Sequence, residues 1–308
     1  MDLVGSPVAL RRWAVASLVA NLAIVVTGGL VRVTSSGLGC STWPQCEPGS
    51  YVPHPDAGIH AYIEFGNRLL TFVLVIVAIG TLLAAWRARD AAGAPRRLVR
   101  GLAIGLIVGI LAQAVIGGIS VLAQLNPWVV GAHLVPSIAL IVACVLLVHE
   151  ASGREPVPVA RSVRRVIRAL VFVGVAVMLL GVVVTGAGPN SGAGGAARNG
   201  LDLAQTARVH SLTVWVVVAL TIGLAVATRA NPAVRRAVLL LLGVELLQGA
   251  VGYAQYFLAL PPWLVTLHMA GTALFTAALA HLWWLTRTPA TPAVPEELRT
   301  AADQAQRR

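Results

Sequence analysis

Long apolar runs follow one another along this chain, and short segments between them carry most of its charges and prolines. A helix needs about 20 apolar residues to cross roughly 30 Å of hydrocarbon. Within hydrocarbon the backbone has no water to bond, so such runs are predicted to be helical. The pattern predicts an all-α integral membrane protein with eight transmembrane helices over 13–33, 61–86, 99–123, 128–149, 164–186, 207–228, 236–258 and 263–286.

The composition supports this interpretation. The chain has 308 residues, of which 57% are hydrophobic, and its mean hydropathy is +0.80. These values exclude a soluble globular protein of ordinary composition. We expect no cleavable signal peptide, because the first apolar run is too long and lacks a small-residue cleavage site at its end.

The distribution of arginine predicts the orientation in the membrane. Arginines cluster before the first span, between spans two and three, four and five, and six and seven, and after span eight. By the positive-inside rule these segments are cytoplasmic, which places both termini inside a multi-pass protein of the cell membrane. The net charge of +11 is therefore interpreted as an orientation signal. We expect membrane lipid, and no nucleic acid, as a partner.

Two sets of marked residues recur at an offset of 135 positions. They are Gln113, Gly117, Pro127, Trp128 and His133, repeated as Gln248, Gly252, Pro262, Trp263 and His268. A weaker echo links "VVTGG" at 25–29 with "VVTGA" at 183–187. An even number of spans in each copy keeps the orientation the same. We predict two pseudo-symmetric four-helix bundles, with an N-terminal half over 1–150, a cytoplasmic linker over 151–162, a C-terminal half over 163–290 and a disordered cytoplasmic tail over 291–308.

In the C-terminal half, His210 and His268 lie about four and six residues into spans that both enter from the outside. At 1.5 Å per residue they lie roughly 6–9 Å below the outer end. Two imidazoles at one depth can hold a flat cofactor by both axial positions of its iron. The alternative is a pair of core histidines bonded to carbonyls or to each other. A bare metal site is disfavoured, because no nearby cysteine or carboxylate completes a tetrahedral set.

The N-terminal half has a different set of polar residues. His133 occupies the place of His268, and span two carries His60, Glu64 and Asn67 at i, i+4 and i+7, which puts them on one helix face. One axial imidazole facing a carboxylate is better suited to chemistry on a bound group than to electron storage. The alternative is that Glu64 is a buried acid paired with Arg68 or His60.

Together these residues make the sequence resemble haem A synthase, the haem O oxidising enzyme of terminal-oxidase assembly. The motifs are "TGGLVRVTSSGLGCSTWPQC", "IEFGNR", "GAHLVPSIAL", "VTGAGPNSG", "VHS" and "LHMAGTALF", and the likeness covers all eight spans. The resemblance implies that His210 and His268 ligate a haem b. It implies that haem O binds in the N-terminal half, with His133 as axial ligand and Glu64 as the essential acid.

The resemblance also implies the activity. It is that of an oxidoreductase acting on a CH group, which converts the C8 methyl of haem O into a formyl group by successive hydroxylations and yields haem A. Haem O synthase is the expected upstream partner; the electron donor is unknown, and a homo-oligomer is possible. Two alternatives are a membrane b-type cytochrome for electron transfer and a haem-binding or transport protein. The first is disfavoured because all ligand candidates lie at the outer side, and the second because the spans look continuous.

The sequence departs from the family pattern at two positions. The family usually has a histidine three residues after the glutamate, where this chain has Asn67, and often one after Gly-Pro, where this chain has Asn190. His60 lies seven residues before Asn67, about 10 Å along the helix, and does not simply replace the missing ligand.

Two cysteines and one acid add further predictions. Cys40 and Cys46 lie in the first outer loop, an oxidising compartment, so we expect a disulfide that is either a loop staple or a redox relay. Cys144, inside span four, is interpreted as packing. Glu245 lies in the middle of span seven, where it is either a proton or quinol contact or a hydrogen-bonded core group.

The inner ends of spans four and eight carry polar and aromatic residues. His149 and His281 are expected at the membrane interface, and Trp283 and Trp284 are expected to anchor span eight there.

Four arginines lie at the outer ends of spans, against the positive-inside rule. Guanidinium groups bind carboxylates through two parallel hydrogen bonds. We therefore predict that Arg68 and Arg32 contact the propionates of the substrate haem, and that Arg208 and Arg198 contact those of the haem b. The alternatives are snorkelling to water or local pairing, of Arg68 with Glu64 and of Arg198 with Asp202.

Overall fold

The computed structural model describes residues 6–288, and this part of the chain consists of eight long helices and contains no strand. All eight are long and apolar enough to span a membrane, as the apolar pattern predicted. The helices are α1 Pro7–Val33, α2 Ile59–Arg87, α3 Arg97–Leu122, α4 Pro127–Ala151, α5 Arg161–Ala187, α6 Leu203–Ala227, α7 Pro232–Phe257 and α8 Pro262–Leu285. The tail predicted over 291–308 lies outside the described residues.

Several helices begin earlier than the apolar runs, because polar caps and prolines start them. Proline at the first helical position has a suitable φ and no N–H to leave unpaired. Prolines open α1, α4, α7 and α8. Side-chain oxygens that accept a backbone N–H cap α1, α4, α6 and α7, and they belong to Ser6, Asn126, Asp202 and Asn231.

The helices form two four-helix bundles. In the first, α1, α2, α3 and α4 each pack against the next and α4 packs against α1; α5 to α8 close in the same way. The bundles meet where α8 packs against α1 and α4, and where α4 packs against α5. Each bundle has its own apolar core, and a small third cluster at the junction contains Val25, Ile141 and Ala273. The predicted architecture is therefore confirmed.

The repeat is also visible in the backbone of two turns on one side of the bundles, the side that the arginine distribution predicts to be outside and that is called outer below. Gln124 and Leu125 follow α3 with φ of 51° and 56°, and Ala259 and Leu260 follow α7 with φ of 59° and 61°. Left-handed backbone costs a non-glycine residue about 1–2 kcal/mol, so two such residues in succession are uncommon. Their recurrence at the 135-residue offset means that the α3–α4 and α7–α8 hairpins share one turn geometry.

The opposite ends of the bundles, predicted to be cytoplasmic and called inner below, are joined by polar and aromatic contacts. Glu150 accepts hydrogen bonds from Arg287 at 2.6 Å and from Arg96 through its backbone oxygen at 2.7 Å. His149 is hydrogen-bonded to His281 at 2.9 Å. Trp284 stacks on His149 with 4.0 Å between ring centroids.

These contacts correct two expectations. His149 was expected at the membrane interface, but it is only 5% exposed because it lies between α4 and α8. Trp284 is fully buried and does not anchor the helix at the interface, because α4 covers its side of α8. Trp283 is 37% exposed. Between α4 and α5 only residues 152–160 form the linker, and the N–H of Val157 donates to Leu285 of α8 at 2.6 Å.

Candidate functional site

The C-terminal bundle brings two imidazoles together near its outer end. His210 of α6 and His268 of α8 have ring centroids 6.5 Å apart, and their planes are inclined by 73°. A metal–imidazole bond of about 2 Å, with about 1 Å more to each ring centre, gives roughly 6 Å between two rings that share one iron. The spacing of the two rings fits two axial ligands.

Hydrogen bonding determines which nitrogen of His210 is free. Its Nδ1 lies 3.1 Å from the carbonyl oxygen of Val177 on α5. Because a carbonyl oxygen only accepts, Nδ1 carries the proton and Nε2 keeps its lone pair for a metal. In His268, Nδ1 is buried and has no hydrogen-bond partner. The two rings are not hydrogen-bonded to each other among the described contacts.

Glycines leave room for these rings. A Cβ on Gly181 would lie 3.3 Å from His210, and a Cβ on Gly252 would lie 3.4 Å from His268. The first distance is shorter than most Cβ contacts and the second is a close van der Waals contact, so a branched side chain at either glycine would press on the imidazole beside it. Within residues 6–288, no group of three or more His, Cys, Asp or Glu side chains is placed to hold a metal ion. The pair therefore suits a cofactor that supplies its own equatorial ligands.

The C-terminal half has a hydrogen-bond network around His268, and a related network occurs in the N-terminal half. Gln248 donates to the backbone oxygen of His268 at 2.9 Å, and the hydroxyl of Thr272 donates to the same oxygen at 3.0 Å. Thr272 has a counterpart 135 residues earlier in Ser137. The repeat offset identifies this pair in the sequence, although neither residue was predicted to belong to the site.

In the first half the corresponding network surrounds His133. Gln113 donates to the hydroxyl of Ser137, which in turn donates to the backbone oxygen of His133 at 3.3 Å. A Cβ on Gly117 would lie 3.2 Å from the His133 ring. Nδ1 of His133 is buried without a partner. The backbone oxygen of His133 thus accepts a hydroxyl, as that of His268 does. The glutamine differs, since it donates to the hydroxyl in the first half and to the backbone oxygen in the second.

Glu64 of α2 is buried, with 5% of its surface exposed. Its Oε2 accepts the backbone N–H of Cys40 at 2.8 Å, and its Oε1 accepts from Arg68 at 2.5 Å. Arg68 also donates to the carbonyls of Thr42 at 3.0 Å and Gln45 at 3.2 Å. The local pairing of Arg68 with Glu64 is therefore present, and contact of Arg68 with a propionate stays a prediction.

These bonds hold the first outer loop over the N-terminal bundle. Cys40 and Cys46 form a disulfide and are fully buried. Between them, the Trp43 indole lies against Gly118 of α3, where a Cβ would overlap it. The neighbouring Gly117 faces the His133 ring. The disulfide loop therefore packs onto the same stretch of α3 that holds the histidine, a contact that nothing in the sequence pattern indicated.

Two other polar residues of α2 differ in their surroundings. The amide oxygen of Asn67 is buried and has no hydrogen-bond partner. His60 is exposed, and its Nδ1 is hydrogen-bonded to the hydroxyl of Ser36 at 3.0 Å. Asn67 is therefore available to a bound molecule, whereas His60 lies at the loop end of α2. A role for either in substrate binding stays a prediction.

The remaining outer arginines fall into two classes. Arg32 donates to the carbonyls of Asn190 at 2.5 Å and Thr185 at 2.9 Å, which ties α1 to the other half. Arg198 and Arg208 are exposed and form no ion pair among the described residues. The alternative pairing with Asp202 is not formed. The propionate contacts predicted for these three arginines remain predictions.

Glu245 lies inside the C-terminal bundle and is 3% exposed. Its Oε1 accepts the hydroxyl of Thr221 on α6 at 2.8 Å, and its Oε2 is buried without a partner. Thr221 was not singled out from the sequence. The structure thus has a hydrogen-bonded core acid, and its role as a proton or quinol contact stays a prediction.

A family model described as cytochrome oxidase assembly protein, COX15-CtaA, matches residues 11–193. This match covers more than half of the chain. The chain belongs to the COX15-CtaA family of cytochrome oxidase assembly proteins. The matched region contains Glu64, His133 and the disulfide loop of this family member, and it ends before His210 and His268.

Curated bacterial relatives of this COX15-CtaA protein carry the name heme A synthase. The relative from Geobacillus thermodenitrificans is 33% identical over 36% of this chain and 32% of its own length. The relative from Listeria welshimeri is 31% identical over 45% of this chain and 44% of its own length. The relative from Lysinibacillus sphaericus is 34% identical over 45% of this chain and 43% of its own length. The matched region thus spans less than half of each relative.

Proposed function

We propose that this chain is a haem A synthase that oxidises the C8 methyl of haem O to a formyl group by successive hydroxylations. The observation that carries the proposal is the asymmetry of the two repeats. One half has two facing imidazoles, His210 and His268, whereas the other has the single imidazole of His133 together with the buried carboxylate of Glu64. One site is suited to a permanent cofactor and the other to a substrate. Family membership supports a role in haem A biosynthesis.

In the C-terminal half, His210 and His268 would hold a haem b, which supplies one-electron redox chemistry when bound. The chain contributes orientation. The bond from His210 Nδ1 to Val177 determines the tautomer, and the two glycines allow the rings to lie close to the neighbouring helices. Arg208 and Arg198, exposed at the same outer end, would bind the propionates.

In the N-terminal half, His133 would bind the iron of the substrate haem O. Asn67, Arg68, Arg32 and His60 are the further substrate contacts that we propose. The disulfide loop, packed through Trp43 onto Gly118, would limit the access of water to the reacting methyl. These groups would hold the substrate in position. Such positioning matters, because small displacements of the reacting atoms cost much of the rate.

Glu64 would act on protons. Two hydroxylations of one methyl carbon give a gem-diol, which loses water to become the aldehyde. That loss requires a proton to leave one hydroxyl and to reach the other, and a carboxylate in a dry pocket can carry out both transfers. In the structure its oxygens are bonded to Arg68 and to the N–H of Cys40. These two donors hold the carboxyl group in a fixed position, from which it would take up and return the proton.

The test separates the two halves. Glu64→Gln should abolish haem A formation and leave the haem b spectrum intact, whereas His268→Ala should abolish the low-spin bis-histidine spectrum. Glu47→Gln is the control, because Glu47 is an acid of the same outer loop that accepts the N–H of His54 at 3.2 Å. Normal haem A yield from Glu64→Gln, or an unchanged low-spin spectrum in both His210→Ala and His268→Ala, would refute the assignment of the respective half.

A further inference from the structure

A cavity of about 430 Å³ opens between the inner ends of α5 and α8, at the other end of the bundle from His210 and His268. Its walls are rich in arginine: Arg161, Arg164, Arg165, Arg168 and Arg287 all line it. The positive-inside rule accounts for arginines at this end of the helices, but it does not require them to surround a cavity.

Within residues 6–288, only one of these five arginines is paired with an acid. Arg287 is ion-paired with Glu150 at 2.6 Å. The four arginines of α5 form no ion pair among the described residues. Arg164 donates to the hydroxyl of Thr288 at 2.9 Å, and its Nε is buried without a hydrogen-bond partner. Buried donors without a partner are uncommon, so the cavity has the donors and the charge to bind an anion.

The arginine-bearing face of α5 continues into an apolar one. Arg161, Arg165 and Arg168 follow a spacing of i, i+4 and i+7, and the same face goes on through Phe172, Val175 and Leu179. The three apolar residues are 78%, 42% and 45% exposed. One side of α5 thus has a basic segment about 10 Å long, and after it an exposed apolar segment that runs toward the middle of the membrane.

We propose that this cavity binds an anionic phospholipid, with its phosphate among the arginines of α5 and an acyl chain along Phe172, Val175 and Leu179. Guanidinium groups bind phosphate oxygens through paired hydrogen bonds, and basic pockets between membrane helices bind anionic headgroups. Trp283, 37% exposed on the α8 wall, contacts the headgroup region. The order of charge and apolar surface along one helix face matches the order of headgroup and tail in a lipid.

The test compares two double variants that each remove two exposed arginines. Arg165→Gln/Arg168→Gln alters the cavity. Arg235→Gln/Arg236→Gln removes the same charge from the start of α7, outside the cavity lining. Each full-length protein is reconstituted in phosphatidylcholine with a small fraction of phosphatidylglycerol, extracted in mild detergent, and analysed by native mass spectrometry for retained lipid. The quantity measured is the ratio of phosphatidylglycerol to phosphatidylcholine that stays bound.

We expect the wild type and the α7 variant to retain phosphatidylglycerol selectively, and the cavity variant to lose that selectivity by roughly 30-fold for two arginines. Equal losses in both double variants would mean general surface attraction, and retention of phosphatidylcholine by the wild type would mean no headgroup preference. Displacement of phosphatidylglycerol by inorganic phosphate alone would assign the site to free phosphate. Each of these three results would overturn the proposal.

Discussion

A buried ion pair is one of the contacts that dock the first outer loop, and a double-mutant cycle can measure its contribution. The side chains of Glu64 and Arg68 are 7% and 20% exposed, and their closest atoms are 2.5 Å apart. Breaking a fully buried pair costs about 3–5 kcal/mol, and breaking an exposed one costs at most about 1 kcal/mol. Arg68 keeps two carbonyl acceptors when the acid is removed, so we expect Glu64→Gln to destabilise the docked loop by about 2 kcal/mol.

The disulfide in that loop reports its opening. Cys40 and Cys46 are fully buried, so a water-soluble reductant reaches them only when the loop opens. If reclosing is fast, the reduction rate follows the population of the open form. A change of about 2 kcal/mol then accelerates reduction by roughly 30-fold. The rate is measured by trapping the released thiols after brief exposure to the reductant, with Glu47→Gln as the control.

The double variant distinguishes a true pair from two separate effects. Arg68→Gln also removes the donors to Thr42 and Gln45, so it should accelerate reduction on its own. Glu64→Gln/Arg68→Gln leaves no unpaired charge, so its effect should be smaller than the sum of the two single effects. Reduction rates equal to wild type in both single variants, or strictly additive effects, would refute the view that this pair holds the loop.

Three further predictions follow from single contacts. Gly252→Val should lower the haem content of purified protein, because the new side chain would press on the His268 imidazole. Gly243→Val is the control, since its Cβ would have no atom within 4 Å, and equal haem contents in the two variants would contradict this. Asn67→His should add a second low-spin signal in electron paramagnetic resonance of haem-loaded protein, and an unchanged spectrum would count against a ligand position there. Thr221→Val should leave the Glu245 carboxylate without its hydrogen bond and lower thermal stability by about 1–3 kcal/mol; an unchanged melting temperature would show that this bond contributes nothing.

The architecture could be predicted from the sequence, because the requirement to span hydrocarbon strongly constrains the backbone. The eight helices, the two bundles and the approach of His210 to His268 all follow from apolar length, repeat offset and depth along the helix. The duplicated turns after α3 and α7 were not expected, since their positive-φ residues are Gln, Leu, Ala and Leu, none of which indicates such a backbone.

Other contacts could not be predicted, because they depend on how loops and bundles dock. The contacts of Trp43 with Gly118, and of Arg32 with the carbonyls of α5 and of the α5–α6 loop, join segments with no common periodicity. The prediction that Trp284 lies at the membrane interface was wrong. A tryptophan at a helix end indicates an interfacial anchor, and the sequence does not show that another helix covers it. The hydroxyl of Ser137, by contrast, follows from the repeat, because its counterpart Thr272 bonds the same atom of the other histidine.

The central claim is that this chain converts haem O into haem A, and the most direct measurement is of pigment. The full-length protein is coexpressed with haem O synthase in a host without its own haem A, and the extracted haems are separated by chromatography and identified by mass. The proposal predicts haem A in cells with the wild-type chain and haem O alone in cells with Glu64→Gln. Haem b without any haem A, from a wild-type protein that shows the low-spin spectrum, would contradict it and would favour an electron-transfer cytochrome.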